Sequence, residues 1–224
     1  MSTASRKHFT QNLDDLRERV MEMGILTERM VADAVEAVAK RDVHFGSEVA
    51  SRDSEIDNME LEIQSTCIVL IAREQPVARD LRFIASAMAI ATELERIGDD
   101  AVSIAKKAIT IETDIPDEYV GEIIDLSAKV RTMLLNALRA YATDDDALLD
   151  KVIAADAEVD AIWKAVRRRL KETMRADPDQ LDAGYKLMQA FHHLEYVGDH
   201  AVSIAERLEF VRTGNLVRFN RAHI

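Results

Sequence analysis

One cysteine, three prolines, seven glycines and few aromatic residues leave this 224-residue chain without the material of several common architectures. With a single thiol no internal disulfide framework is available, which suits a reducing compartment. That thiol, Cys67, lies in the apolar run Cys67-Ile68-Val69-Leu70-Ile71-Ala72, where it reads as core and not as a nucleophile. Aromatics make up only 5% of the chain, and nearly half of it is Ala, Leu, Met, Glu, Lys and Arg, a composition suited to helices and poor for sheets. Cations are also short: 29 Lys and Arg face 41 Asp and Glu, for a net charge of −12. Such a surface repels phosphate backbones and anionic lipid, which argues against nucleic acid as a partner, and it attracts cations. No window approaches 18 uninterrupted apolar residues, and no apolar signal core follows Met1 to His8. The expectation is a cytoplasmic protein with no direct membrane insertion.

What is present is helical periodicity. Phe9, Leu13, Leu16, Val20, Met23, Met30 and Ala34 recur in steps of three and four, interrupted only at Thr27. Asp42 to Gly46 should break this helix, and a second should run to about Glu74. Pro76 then forces a turn, because it lacks an amide donor and restricts the residue before it. Phe83, Ala87, Ile90, Leu94, Ile97, Ala101, Ile104 and Ala108 line one face of a third helix. Pro116 should start a fourth helix, and Pro178 should part a fifth from a sixth. Long helices joined by short connections pack antiparallel, and no segment reads as a strand.

The chain also repeats itself. Met88 to Ala105 and Met188 to Ala205 agree at ten of eighteen positions, among them Leu94-Glu95 with Leu194-Glu195 and Gly98-Asp99 with Gly198-Asp199. Earlier in each half the offset is 103: Asp53, Glu55 and Asp57 match Asp156, Glu158 and Asp160, while Met30, Ala34 and Asp42 match Met133, Ala137 and Asp145. The fold expected is all-α: six long helices forming two tandem three-helix bundles related by internal duplication. The division falls near residue 113, giving repeats over 1–112 and 113–224.

Each repeat carries two acidic pairs at i, i+4: Asp53/Asp57 with Glu95/Asp99, then Asp156/Asp160 with Glu195/Asp199. Residues four apart share a helix face, so each pair aims both carboxylates one way. The first two pairs are centred on 55 and 97, equidistant from Pro76; the second two, on 158 and 197, are equidistant from the Asp177–Pro178 step. Two antiparallel helices set such positions at one level, about 30 Å from the turn at ~1.5 Å per residue. Four carboxylates at one level repel one another and need a positive partner. Arg96 offers one to the first set, but its counterpart is Tyr196, so one internal salt bridge does not serve both repeats. An all-oxygen site suits Mg, Mn or Fe, and Zn less well; the alternative is a solvated acidic face. Gly98 and Gly198, each a mid-helix glycine costing ~1 kcal/mol, follow the glutamates by three residues. They allow close helix packing, room for an ion, or both.

At Leu94-Glu95-Arg96-Ile97-Gly98-Asp99 and Leu194-Glu195-Tyr196-Val197-Gly198-Asp199, and at the turn Gln75-Pro76-Val77-Ala78-Arg79-Asp80-Leu81-Arg82, the chain resembles the PhoU family over essentially its whole length. The resemblance implies two three-helix bundles with metal ions held by the eight carboxylates named. It also implies a negative regulator of the phosphate-starvation response, commonly dimeric, linking the cytoplasmic ATPase of a phosphate ABC transporter to a sensor histidine kinase. Family members often carry His after Gly-Asp; here the first copy has Asp100 and only the second has His200.

Two rival readings remain. A di-iron carboxylate oxidase needs Glu-x-x-His on two helices, and none of the six histidines has a glutamate three residues before it. No HExxH, glycine-rich phosphate loop or nucleophile–base pair appears either, so an enzyme is not expected. A passive helical scaffold would make metal irrelevant. His192-His193 reads as surface or partner-facing, and Arg167-Arg168-Arg169 as a solvated face open to an acidic partner.

Overall fold

A computed structural model describes residues 3–111 and 116–219. The boundary expected between 112 and 113 therefore lies outside the described residues, as does His223. The described chain is helical throughout, without a strand: α1 Thr3–Lys40, α2 Val43–Ser51, α3 Asp53–Glu74, α4 Ala78–Thr110, α5 Asp117–Thr143, α6 Asp146–Ala176 and α7 Leu181–Thr213, with a single 3-10 turn at Pro178–Gln180. Six helical rods result, because α2 and α3 are two segments of one.

The apolar spacing accounts for the rods. Phe9, Leu16, Val20, Met23, Met30 and Ala34 on α1 are all buried, and so is the full α4 face from Phe83 to Ala108. Thr27, the polar interruption, is fully buried as well; its hydroxyl is satisfied by donating to the Met23 carbonyl at 2.8 Å. Cys67 is fully buried, and desolvation pushes its thiol up to about 12, so it stays protonated and inert.

Helix ends repeat with the sequence. Arg41 and Asp144, equivalent at the 103 offset, both stop their helices in the left-handed conformation (φ 54° and 55°). The next residues, Asp42 and Asp145, then cap α2 and α6, accepting from the Phe45 amide at 2.9 Å and the Ala147 amide at 3.0 Å. Gln75 ends α3 in the left-handed region, and Pro76, which cannot continue the helix, follows it.

Two details differ from the sequence reading. The second rod of the first repeat is interrupted at Arg52, whose side chain pairs with Asp33 at 2.5 Å, whereas α6 runs unbroken through the equivalent position. And Gly46 belongs not to the connection but to α2, where it packs on α4.

Within the first repeat α4 packs on α1, α2 and α3; within the second α7 packs on α5 and α6. The repeats join through α4 against α7 and α1 against α5. Each of these helices meets its own duplicate, the self-complementary geometry of a twofold interface built inside one chain.

At Gly46 a Cβ would stand 2.9 Å from the backbone oxygen of Ala105. Backbone does not give way as a side-chain tip does, so Gly46→Ala should destabilise by about 1–3 kcal/mol despite its better helix propensity, read as a lower midpoint in urea unfolding.

Candidate metal centres and the joint between repeats

The glycines set the helix separation at the carboxylate level. A Cβ on Gly98 would lie 3.2 Å from Ile56 Cγ2, and one on Gly198 would lie 3.4 Å from Val159 Cγ1. Ile56 stands between Asp53 and Asp57, and Val159 between Asp156 and Asp160. In each repeat the facing helices thus touch at the level of both acidic pairs, as the distance to the turn requires. Gly98 thus serves close packing, whereas at Gly198 a Cβ would make only an ordinary contact.

In the first repeat the carboxylates act on one another. Partial burial and then the charges of Asp99, Glu60 and Asp57 raise the Glu95 carboxyl. Partial burial and then Asp53, Asp57 and Asp100 raise that of Asp99. Among the described residues no cationic side chain forms an ion pair with Asp53, Asp57, Glu95 or Asp99; the nearest carboxylate to Arg96 is Glu93, at 3.7 Å. Asp53 sits in the first turn of α3, where the helix N-terminus favours a negative charge. Glu60, one turn beyond Asp57, joins this group and accepts from Thr92 Oγ1 at 2.7 Å. It was missed in the sequence because its equivalent is Trp163, so the repeat does not mark it.

The second group is more enclosed. Asp160, Glu195 and Asp199 are all buried, with Asp156 half-buried. Donor groups approach it: the Lys164 ammonium Nζ lies 3.6 Å from Asp160, and the His192 imidazole Nε2 lies 3.7 Å from Glu195. His192 is stacked between Trp163, at 5.0 Å, and Tyr196, at 4.2 Å. Burial, and then the His193 and Arg167 charges, hold its imidazole below the usual range.

The donors in the first group are all carboxylate oxygens facing one another without a counter-cation, which is the chemistry of a hard-cation site. In this conformation, however, no three Asp, Glu, His or Cys side chains among the described residues are drawn together closely enough to hold one ion.

The joint between repeats holds a polar feature that sequence reasoning placed elsewhere. His193 is not partner-facing: its Nδ1 lies 2.8 Å from Asp100 Oδ1 across the α4–α7 contact. His200 Nδ1 lies 2.8 Å from Glu93 Oε2 in the same way. Positions 93 and 193, and 100 and 200, are equivalent, so these are one pair seen twice, with both acids on the first repeat and both histidines on the second. Burial alone would raise the Glu93 carboxyl, but the His200 hydrogen bond and charge, with Arg96 and Arg207, outweigh it and hold the group low. Asp100, which breaks the expected Gly-Asp-His pattern, is thereby explained as the partner of His193. Acids at 93 and 100 opposite histidines at 193 and 200 were the available signal, but it could not be read without knowing that α4 lies on α7. The arginine run also splits: Arg169 pairs with Glu122, Arg167 lies 6.0 Å over the Trp163 ring, and Arg168 is exposed.

Comparison with known proteins bears on the whole chain. The PhoU domain model matches residues 20–108 and again 123–208. The phosphate-specific transport system accessory protein PhoU homolog of Pseudomonas aeruginosa is 36% identical over 95% of this chain and 88% of its own length. That of Clostridium acetobutylicum is 32% identical over 96% and 99%. The crystal structure of PhoU from Pseudomonas aeruginosa is similar with a TM-score of 0.88 at 35% identity, covering 92% of this chain and 100% of that one. The phosphate transport system regulatory protein PhoU from Streptococcus pneumoniae gives 0.86 at 26% identity, over 94% and 99%.

Two outcomes follow for the ion-free protein. Asp99→Asn should stabilise it by about 0.2–0.5 kcal/mol for each like-charged pair removed, read as a higher thermal midpoint. Because the Asp99 carboxyl is raised in the fold, its ionised form weakens the fold at neutral pH. The advantage of the asparagine should therefore be full at neutrality and vanish as pH falls through that pKa. His200→Ala leaves the buried Glu93 carboxylate without its hydrogen-bond partner and should cost about 1–3 kcal/mol in denaturant unfolding.

Proposed function

The chain belongs to the PhoU family, and from that premise we propose that it is a cation-dependent regulatory accessory protein of phosphate uptake. It restrains the phosphate-starvation response when phosphate is plentiful. It does so in the cytoplasm, as a homodimer, by linking the cytoplasmic ATPase of a phosphate ABC transporter to a sensor histidine kinase. The relatives matched along nearly the full chain are named accessory proteins of phosphate transport, not enzymes, which supports a regulatory and non-catalytic role. No helix of the described residues is long and apolar enough to cross a membrane, which accords with a peripheral accessory part. Leu61, Ile68 and Val69, exposed on the outer face of α3, offer an apolar surface to a second copy.

The observation that carries the cation is the mutual repulsion of Glu95, Asp99 and the α3 carboxylates at a level where the two helices touch. Asp53, Asp57, Glu95 and Asp99 would hold one group of ions, and Asp156, Asp160, Glu195 and Asp199 the other. The ion is Mg, Mn, Fe or Zn, hard oxygen-seeking cations being favoured. Bound at the first group, a cation would supply the positive charge that no ion pair brings to Asp53, Asp57, Glu95 and Asp99. Ions held by these residues would tie α3 to α4 and α6 to α7, so that each hairpin would present one rigid face to a partner.

Elemental analysis of the purified chain beside a Glu95→Gln/Glu195→Gln variant tests this. Stoichiometric metal in the parent, sharply reduced in a variant with unchanged helical circular dichroism, is the expected result. Binding to the transporter ATPase and the kinase should then depend on that metal. A parent that takes up none of Mg, Mn, Fe or Zn, yet still binds both partners, would leave a metal-independent scaffold instead.

A further inference from the structure

A strongly polar cavity lies apart from both acidic groups. It has a volume of about 480 Å³ and is lined by Glu93 and Arg96 of α4, Glu206 and Arg207 of α7, and Arg218 and Phe219 of the segment that follows α7. Three guanidiniums from three separate stretches of chain, one of them contributed by the first repeat, thus face one space. The segment is fastened there, because the Phe219 amide donates to Glu206 Oε1 at 2.8 Å. Arg207 and Arg218 form no ion pair with any described residue, and Arg96 has only Glu93, at 3.7 Å. On a chain of net charge −12, three arginines gathered around one cavity against the two carboxylates of Glu93 and Glu206 leave a local excess of positive charge that an anion can meet.

The duplication supplies an internal control. The residues equivalent to Arg96 and Arg207 are Tyr196, which lies against the His192 ring at 4.2 Å, and Lys107, which donates to Gln189 at 3.0 Å. The same fold elsewhere in the chain therefore does without both arginines, and helix packing does not require them. The terminal segment that brings Arg218 follows the second repeat only.

The chemistry of the lining narrows the ligand. Guanidinium donors fit a tetrahedral oxyanion, which they bind by paired charge-assisted hydrogen bonds. The Glu93 and Glu206 carboxylates are acceptors only, so a ligand beside them gains by carrying a proton. Phosphate keeps a P–OH near neutrality; sulfate keeps none. The cavity is also large enough for a small molecule, at the lower end of ordinary ligand sites. We propose that this cavity is an oxyanion site that takes hydrogen phosphate, held by Arg96, Arg207 and Arg218 with its P–OH turned to Glu93 or Glu206. The site stands on the geometry of the α4–α7 joint and is independent of the proposed metal centres. It places the ligand against Glu93, which is bonded across that joint to His200, so that a bound anion bears on the contact between the repeats.

Calorimetric titration of the full chain with inorganic phosphate, after chelator treatment, tests the proposal. One equivalent should bind, with sulfate weaker by about tenfold or more. Arg207→Gln and Arg218→Gln should each weaken phosphate by about tenfold to a hundredfold, the worth of a charge-assisted hydrogen bond. Arg218 lies beyond the last helix, so its substitution leaves the bundles folded and keeps the test decisive if Arg207→Gln does not fold. Four results would overturn the assignment: no binding at millimolar phosphate; sulfate and phosphate bound equally; phosphate binding that needs added metal and ignores both arginines; or arginine-dependent binding to phosphatidylglycerol vesicles with none to free phosphate, which marks a lipid headgroup surface. Because metal is withheld, failure here leaves the metal reading untouched.

Discussion

Close contact between apolar side chains and a glycine in the facing helix holds the two hairpins to their register. Ile56 against Gly98 and Val159 against Gly198 bring α3 to α4 and α6 to α7 at one level in each repeat. Everything acidic about those levels follows from that approach. The backbone positions of the carboxylates flanking Ile56 and Val159 are set by core contacts worth more than the repulsion between exposed like charges. The repulsion therefore remains as raised carboxyls on Glu95 and Asp99, and with it a standing demand for positive charge.

The duplicated halves have met that demand differently. The first group keeps its carboxylates partly solvated and without ion pairs, with Asp53 at a helix N-terminus. The second buries three of four and surrounds them with Lys164, His192 and the Trp163 ring. The two groups match in their four carboxylates and differ in enclosure. The halves have also specialised where they touch, acids on α4 and histidines on α7, so that an interface between duplicates distinguishes its two sides. The arginine cavity lies at the edge of this joint, and its third arginine comes from chain beyond the repeat.

Much of this was legible in one dimension. The seams of α1 and α4, the turn at Pro76 and the register of the facing pairs follow from periods of three and four and from counting equal distances to a turn. The break at Arg52 was not legible, because no proline or glycine marks it; in the structure that residue's side chain reaches Asp33 of α1. Gly46 resembled a turn glycine until its contact with the Ala105 carbonyl showed a packing one. Thr27 resembled a defect in the seam and is a buried residue satisfied by its own helix.

By itself the sequence determined the helices, the duplication, the family and the four acidic pairs, since each depends on spacing along a chain whose rise per residue is constant. Only the tertiary structure decided which charges meet across the joint between repeats. Glu93 and His200 are 107 residues apart, as are Glu60 and Arg167, and no periodicity distinguishes the pair that touches from the pair that does not. That choice belongs to the packing of α4 on α7, which is set by apolar faces many residues long and fixes the polar contacts only as a consequence.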